Sequence, residues 1–156
     1  MNVMPGQTST AQVSIDTSVD NVTAIQLELG YDPNILSNVK IVPGPFFKSP
    51  QVIYEKNDPI KGRYTYMYGI TPSGQPLKGT GVVATITFTV KAGTAGKQTQ
   101  LGLLPESLVT ARGVADSVLL KSNGALLNVT ASGTNTTGNI NTQTAPIDPQ
   151  TSNSAR

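Results

Sequence analysis

Three tyrosines spaced two apart, Tyr64, Tyr66 and Tyr68, are the residues in this chain whose type and spacing most directly suggest chemistry. In a strand, alternate positions share one face, so the three form a row. Exposed, such a row would stack on sugar rings and make a polysaccharide-binding surface. Turned inward, it would fill a core, with the hydroxyls reaching partners at the rim. Arg63, Thr65 and Met67 hold the intervening positions. That set is the more polar, so hydrophobicity favours the Tyr face as the core, and the exposed row stands as the alternative.

Acid–base chemistry has fewer candidates. The nine carboxylates are Asp16, Asp20, Glu28, Asp32, Glu55, Asp58, Glu106, Asp116 and Asp148. A glycosidase needs two of them facing each other across a cleft. No motif here sets two on neighbouring inward positions, and no catalytic residue is expected. His and Cys are both absent, which removes Ser-His-Asp and Cys-His nucleophile systems, most zinc and copper sites, and disulfides. The run Asp16–Asn21 offers oxygens to Ca²⁺ but lacks the acidic alternation, central Gly and distal Glu of a calcium loop. It reads as a solvated turn, and neither metal nor cofactor is expected. No Gly-rich phosphate loop is present. The net charge of +2 is spread along the chain and leaves no basic stripe for nucleic acid.

The elements that must position these residues show period 2 nearly throughout. Residues 22–31 set Ile25, Leu27, Leu29 and Tyr31 on one face and Ala24, Gln26 and Glu28 on the other. Residues 82–90 set Val82, Ala84, Ile86, Phe88 and Val90 against Val83, Thr85, Thr87 and Thr89. Further strands are expected at 11–15, 35–42, 51–55, 63–70, 98–103, 107–111 and 126–129, with Gly, Pro, Asn and Asp between them. About nine short strands of this kind make an all-β, antiparallel sandwich or barrel. No segment reaches the roughly 18 apolar residues of a membrane-spanning helix. The start, Met1 to Gly6, has no signal-peptide pattern. Apolar residues are only 37% of the 156-residue chain. The composition turns Thr/Asn/Ser-rich near its end, so residues 1–131 are expected to form the domain. Residues 132–156 read as a disordered linker or tail, of the sort that joins a module to a longer chain.

The segment Gly30-Tyr31-Asp32-Pro33-Asn34-Ile35-Leu36, closing one strand and opening the next, resembles the cohesin domain family. So do, in order, Pro5-Gly6-Gln7, Val42-Pro43-Gly44, Tyr66-Met67-Tyr68, the stretch Gly79-Thr80-Gly81-Val82-Val83-Ala84-Thr85-Ile86-Thr87-Phe88, and Asn123-Gly124. The resemblance covers about residues 4–130. It implies a nine-stranded jelly-roll sandwich, exported and non-catalytic, that acts at the cell surface or outside the cell. Its partner would be a dockerin-type module, which carries any calcium itself. It further implies contacts from one sheet face: Ala24, Gln26 and Glu28, then Met67, then Ile70 and Ser73 from the loop that follows. Alternation adds Arg63 and Thr65 to the same face. Cellulosomal type I cohesins often have Asn and Asp where this chain has Ala24 and Gln26, and an acidic residue in place of Ile70. Their polar anchors are therefore missing here.

Overall fold

A computed structural model describes residues 1–133 and 136–144. Its strands are β1 (Asn2–Val3), β2 (Thr8–Asp16), β3 (Val22–Gly30), β4 (Leu36–Pro43), β5 (Gln51–Asp58), β6 (Arg63–Gly69), β7 (Thr80–Val90), β8 (Gln98–Leu103), β9 (Leu108–Ala111), β10 (Leu119–Asn123), β11 (Ala125–Val129) and β12 (Gly138–Thr144). They form two sheets. One runs β1-β11-β8-β3-β6-β5, with β9 also paired to β3; the other runs β10-β12-β2-β7-β4. The all-β sandwich expected from the alternation is what forms, with twelve strands rather than nine among the described residues. It is also not wholly antiparallel, since β1 pairs with β11, and β12 with β2, in parallel.

The core lies between the inner faces. Val13, Ile15, Ile41, Ile86, Phe88 and Val90 come from one sheet, and Ile25, Leu27, Leu29, Tyr66, Tyr68, Leu101 and Leu127 from the other. Burying each large aliphatic side chain contributes about 1.5–3 kcal/mol, so this interface dominates folding. An aromatic chain runs along it. Phe46 meets Phe47 at 5.4 Å, Phe47 meets Tyr68 at 5.3 Å, Tyr68 meets Tyr66 at 5.4 Å and Tyr66 meets Tyr64 at 6.4 Å between ring centroids. The inward reading of the three tyrosines therefore holds. Tyr64 and Tyr66 are each 4% exposed and Tyr68 is fully buried, so no exposed Tyr row exists to stack on sugar. The physical reason is the pairing of Tyr64, Tyr66 and Tyr68 opposite Leu29, Leu27 and Ile25, which commits the whole row to the inner face.

Two details correct the sequence reading. The pairing of β2 with β7 slips between Val13 and Ser14, so Val82 lies opposite Ser14 and Ala84 opposite Val13, with Val83 as the extra residue of a bulge. Val83 is buried and Val82 only half-buried, the reverse of a strict alternation through that end of the strand. The carbonyl of Val83 accepts from Gly44 N (2.6 Å) and from the Tyr68 hydroxyl, which uses both of its lone pairs.

The second correction concerns the expected boundary at residue 131. Residues 138–144 are strand β12, laid between β10 and β2. Its inward positions are Gly138, Ile140, Thr142 and Thr144. Only one is strongly apolar, which is why composition reads as a tail. The strand holds through ladders on both sides and through two hydroxyls: Thr142 donates to Ser14 O (2.9 Å) and Thr144 to Thr17 O (2.7 Å). Of the expected tail, residues 134–135 and 145–156 lie outside the described residues.

Candidate functional site: the outer face of β9-β3-β6-β5

Residues directly opposite each other in an antiparallel pair project to the same side of the sheet. Register therefore builds the outer face of this sheet row by row. The first row is Leu108, Gln26, Met67 and Tyr54, contributed by β9, β3, β6 and β5 in that order. On one side lies Thr110, Ala24, Gly69 and Gln51. On the other lie Glu28, Thr65 and Lys56, and beyond them Gly30, Arg63 and Asp58.

The face thus has three characters. The Met67 row is mostly apolar: Leu108 is 41% exposed and Tyr54 49%. The Ala24–Gly69 row is low, because two of its members carry little or no side chain. The Arg63 end is charged, with Arg63 Nη1 lying 3.7 Å from Glu106 Oε1 and both side chains half exposed. An ion pair that open contributes little to stability and leaves both groups available to a partner.

Glu28 is held in place. Its Oε1 accepts from Gln26 Nε2 (3.0 Å) and its Oε2 from Thr65 Oγ1 (2.8 Å). Its backbone N–H donates to the buried Ser107 hydroxyl (3.0 Å), and its carbonyl accepts from Leu104 N (2.7 Å). The connection at residues 104–107 thus fills the gap between β8 and β9, which pair with different ends of β3. The result is a braced surface with Met67 and Tyr54 along its middle, amides at Gln26 and Gln51, and charges of both signs toward the Arg63 end.

Six of the expected contact residues come together here: Ala24, Gln26, Glu28, Arg63, Thr65 and Met67. The other two do not join that surface as outward side chains. Ile70 follows the last residue of β6 and is half-buried, packed against the core. Ser73 is exposed on the loop between β6 and β7. Sequence reasoning did not pick out Tyr54, Lys56 and Leu108. The run Val52-Ile53-Tyr54 is apolar without alternation, and the bulge between Val52 and Tyr54 decides which of its members faces outward. Nothing short of the strand pairing reveals that.

The tyrosines behind this face have raised pKa values. Burial is the first cause for Tyr64, Tyr66 and Tyr68, and Glu55 adds to it for the first two. The Tyr64 hydroxyl donates to Glu55 Oε1 at the strand edge. Among the described residues no group of three or more acidic side chains is placed to hold a metal ion. The Asp16–Asn21 segment is a turn, in which Asp16 Oδ1 accepts from Ser18 N at 3.0 Å. No helix among the described residues is long and apolar enough to cross a membrane.

Known proteins resemble this chain in fold. The sixth cohesin of scaffoldin B from Acetivibrio cellulolyticus, solved in complex with a Cel5 dockerin mutant, superposes with a TM-score of 0.68 at 15% identity, covering 83% of this chain and 93% of that one. CaCohA2 from Clostridium acetobutylicum gives 0.64 at 19% identity, over 85% and 88%. A cohesin module from a Clostridium perfringens family 33 glycoside hydrolase gives 0.57 at 14% identity, over 82% and 98%. At such identities the likeness is one of fold. No curated protein sequence matches the chain significantly. The model of the cohesin domain family matches residues 2–125, most of the chain, and the chain belongs to the cohesin domain family.

Proposed function

We propose that this chain is a non-catalytic docking module that holds a dockerin-type protein partner on the outer face of β9-β3-β6-β5. One observation carries the placement: register assembles Leu108, Gln26, Met67 and Tyr54 into a single outward-facing row across four strands, with half-buried Gln26 and Met67 at its middle and exposed Leu108 and Tyr54 at its ends. A partner helix lying across the strands would cover that row. Met67 is its adaptable apolar anchor, and Glu28, Lys56 and Arg63 supply the polar rim. Ala24, Gln26 and Thr65 are the floor beneath the helix. The solved cohesin from Acetivibrio cellulolyticus that resembles this chain is itself bound to a dockerin, which supports the choice of partner. The same relative belongs to a scaffoldin. By analogy, this chain is a module of an exported or cell-surface protein. Any calcium in the complex belongs to the partner. A polysaccharide ligand is not favoured, because its stacking row would have been the buried tyrosines.

The test is Met67→Asp, measured against a panel of dockerin modules. Loss of the anchor should weaken binding by about 2 kcal/mol, roughly thirtyfold. Thermal stability should hardly move, because the side chain leaves the outer face. Full-strength binding by the folded variant would show that the partner uses another surface.

A further inference from the structure

A pocket of about 320 Å³ opens at the end of the face where the low row lies, between the β4–β5 and β6–β7 connections. Phe47, Pro50, Ile70 and Leu77 give it apolar walls. It is continuous with the proposed interface through the chain itself. Pro50 precedes Gln51, and Ile70 follows Gly69, so two wall residues are the immediate neighbours of two members of the low row. Ile70 is tied to the sheet by its N–H, which donates to Thr23 O at 2.9 Å. Because Ala24 and Gly69 carry so little side chain, the middle of that row is low between the Met67 row and the pocket mouth, with Gln51 at its β5 edge. Ser49, another lining residue, has a φ of 72°, in the left-handed region. Left-handed backbone at a non-glycine residue costs free energy and clusters where a chain is bent for a purpose.

Charge gives the pocket its second character. Neither connection, residues 44–50 or 70–79, contains an acidic residue, while Lys48 and Lys78 are exposed on them. Lys48 lines the pocket itself. The opposite end of the face has charges of both signs, Glu28, Asp58 and Glu106 beside Lys56 and Arg63.

From these observations we infer that the pocket receives one apolar side chain of the docked partner, with an acidic residue beside it facing Lys48, and so sets which partners bind. Resting on the functional reading above, the inference adds a specificity element to that face. Ile70 and Leu77 desolvate the inserted side chain, and Lys48 selects its neighbour by charge.

The test selects dockerin modules, displayed with one helix randomised, on the wild-type domain. The affinities of the recovered modules are then measured for wild type, Thr71→Trp, Lys48→Glu and Met67→Asp. Thr71 lines the pocket and is exposed, so a Trp there can close the mouth without disturbing the core. Recovered modules should carry an aliphatic or aromatic residue next to Asp or Glu. Thr71→Trp should weaken them about tenfold or more. Lys48→Glu should weaken them about threefold, with recovery when the partner's acid is exchanged for Lys. Loss of binding in Met67→Asp, with Thr71→Trp and Lys48→Glu both within about twofold of wild type, would overturn the pocket and leave the face. If no dockerin is recovered, or Met67→Asp binds fully, the functional reading fails and the pocket falls with it.

Discussion

Ile140→Ala separates a docked β12 from a free tail. Ile140 is the one large apolar side chain on the inner face of β12, and it is fully buried. The substitution removes three carbon groups. At about 0.8 kcal/mol each, the transfer term is about 2.4 kcal/mol. Neighbours on both sides limit collapse into the space left behind, since β10 and β2 clamp the strand. A cavity term therefore adds to the transfer term, and the expected cost is about 3–4 kcal/mol, within the range of such core truncations. For a domain of this size that lowers Tm by roughly 10 °C. Urea unfolding followed by circular dichroism measures it, with Asn141→Ala as control. Asn141 is exposed on the same strand and should stay within about 0.5 kcal/mol of wild type. A loss below about 0.5 kcal/mol for Ile140→Ala would refute the reasoning and return residues 138–144 to the tail that composition suggests.

Gly62→Ala should destabilise the domain by more than about 2 kcal/mol in the same unfolding assay, because Gly62 has φ of 67° and an added Cβ would overlap the Tyr31 carbonyl. Stability should also fall above about pH 10. Tyr31, Tyr64, Tyr66 and Tyr68 all have raised pKa values in the folded domain, with burial as the first cause. Their contribution is complete below the unfolded tyrosine value, near 10, and is lost as pH rises beyond it, since only the unfolded chain releases those protons readily. Thermal melts between neutral and strongly alkaline pH, with phenolate absorbance followed in parallel, should show the protons leaving together with unfolding. Early phenolate signal from all four in a still-folded domain would contradict this.

Strict alternation made β3, β6 and most of β7 legible, because a strand with one wet face must repeat every two residues. It also favoured the inward direction of the tyrosine row, since Arg63, Thr65 and Met67 are the poorer core, and the pairing with β3 decided it. The same logic failed wherever a ladder is irregular. At Val83 a bulge turns the strand over, and at Ile53 another decides that Tyr54 joins Met67 outside. A bulge is a property of two strands in register, so neither strand's own pattern contains it. β12 was hidden for a related reason. A strand held between two neighbours can depend on main-chain bonds and Thr hydroxyls, and it needs little of the apolar signal that marks an independent element.

Local sequence alone determined the strand-rich class, the absence of His- and Cys-based chemistry, and which side of each regular strand turns to water. Those follow from side-chain type and a period of two. Tertiary structure decided which outward residues become neighbours. Gln26, Met67, Tyr54 and Leu108 are far apart in the chain and form one row only because β9, β3, β6 and β5 pair in that order and register. Tertiary structure likewise decided that Pro50 and Ile70, from two separate connections, wall one pocket. Pairing order and register come from the free energy of the whole core, to which every strand contributes at once, and no single segment encodes them.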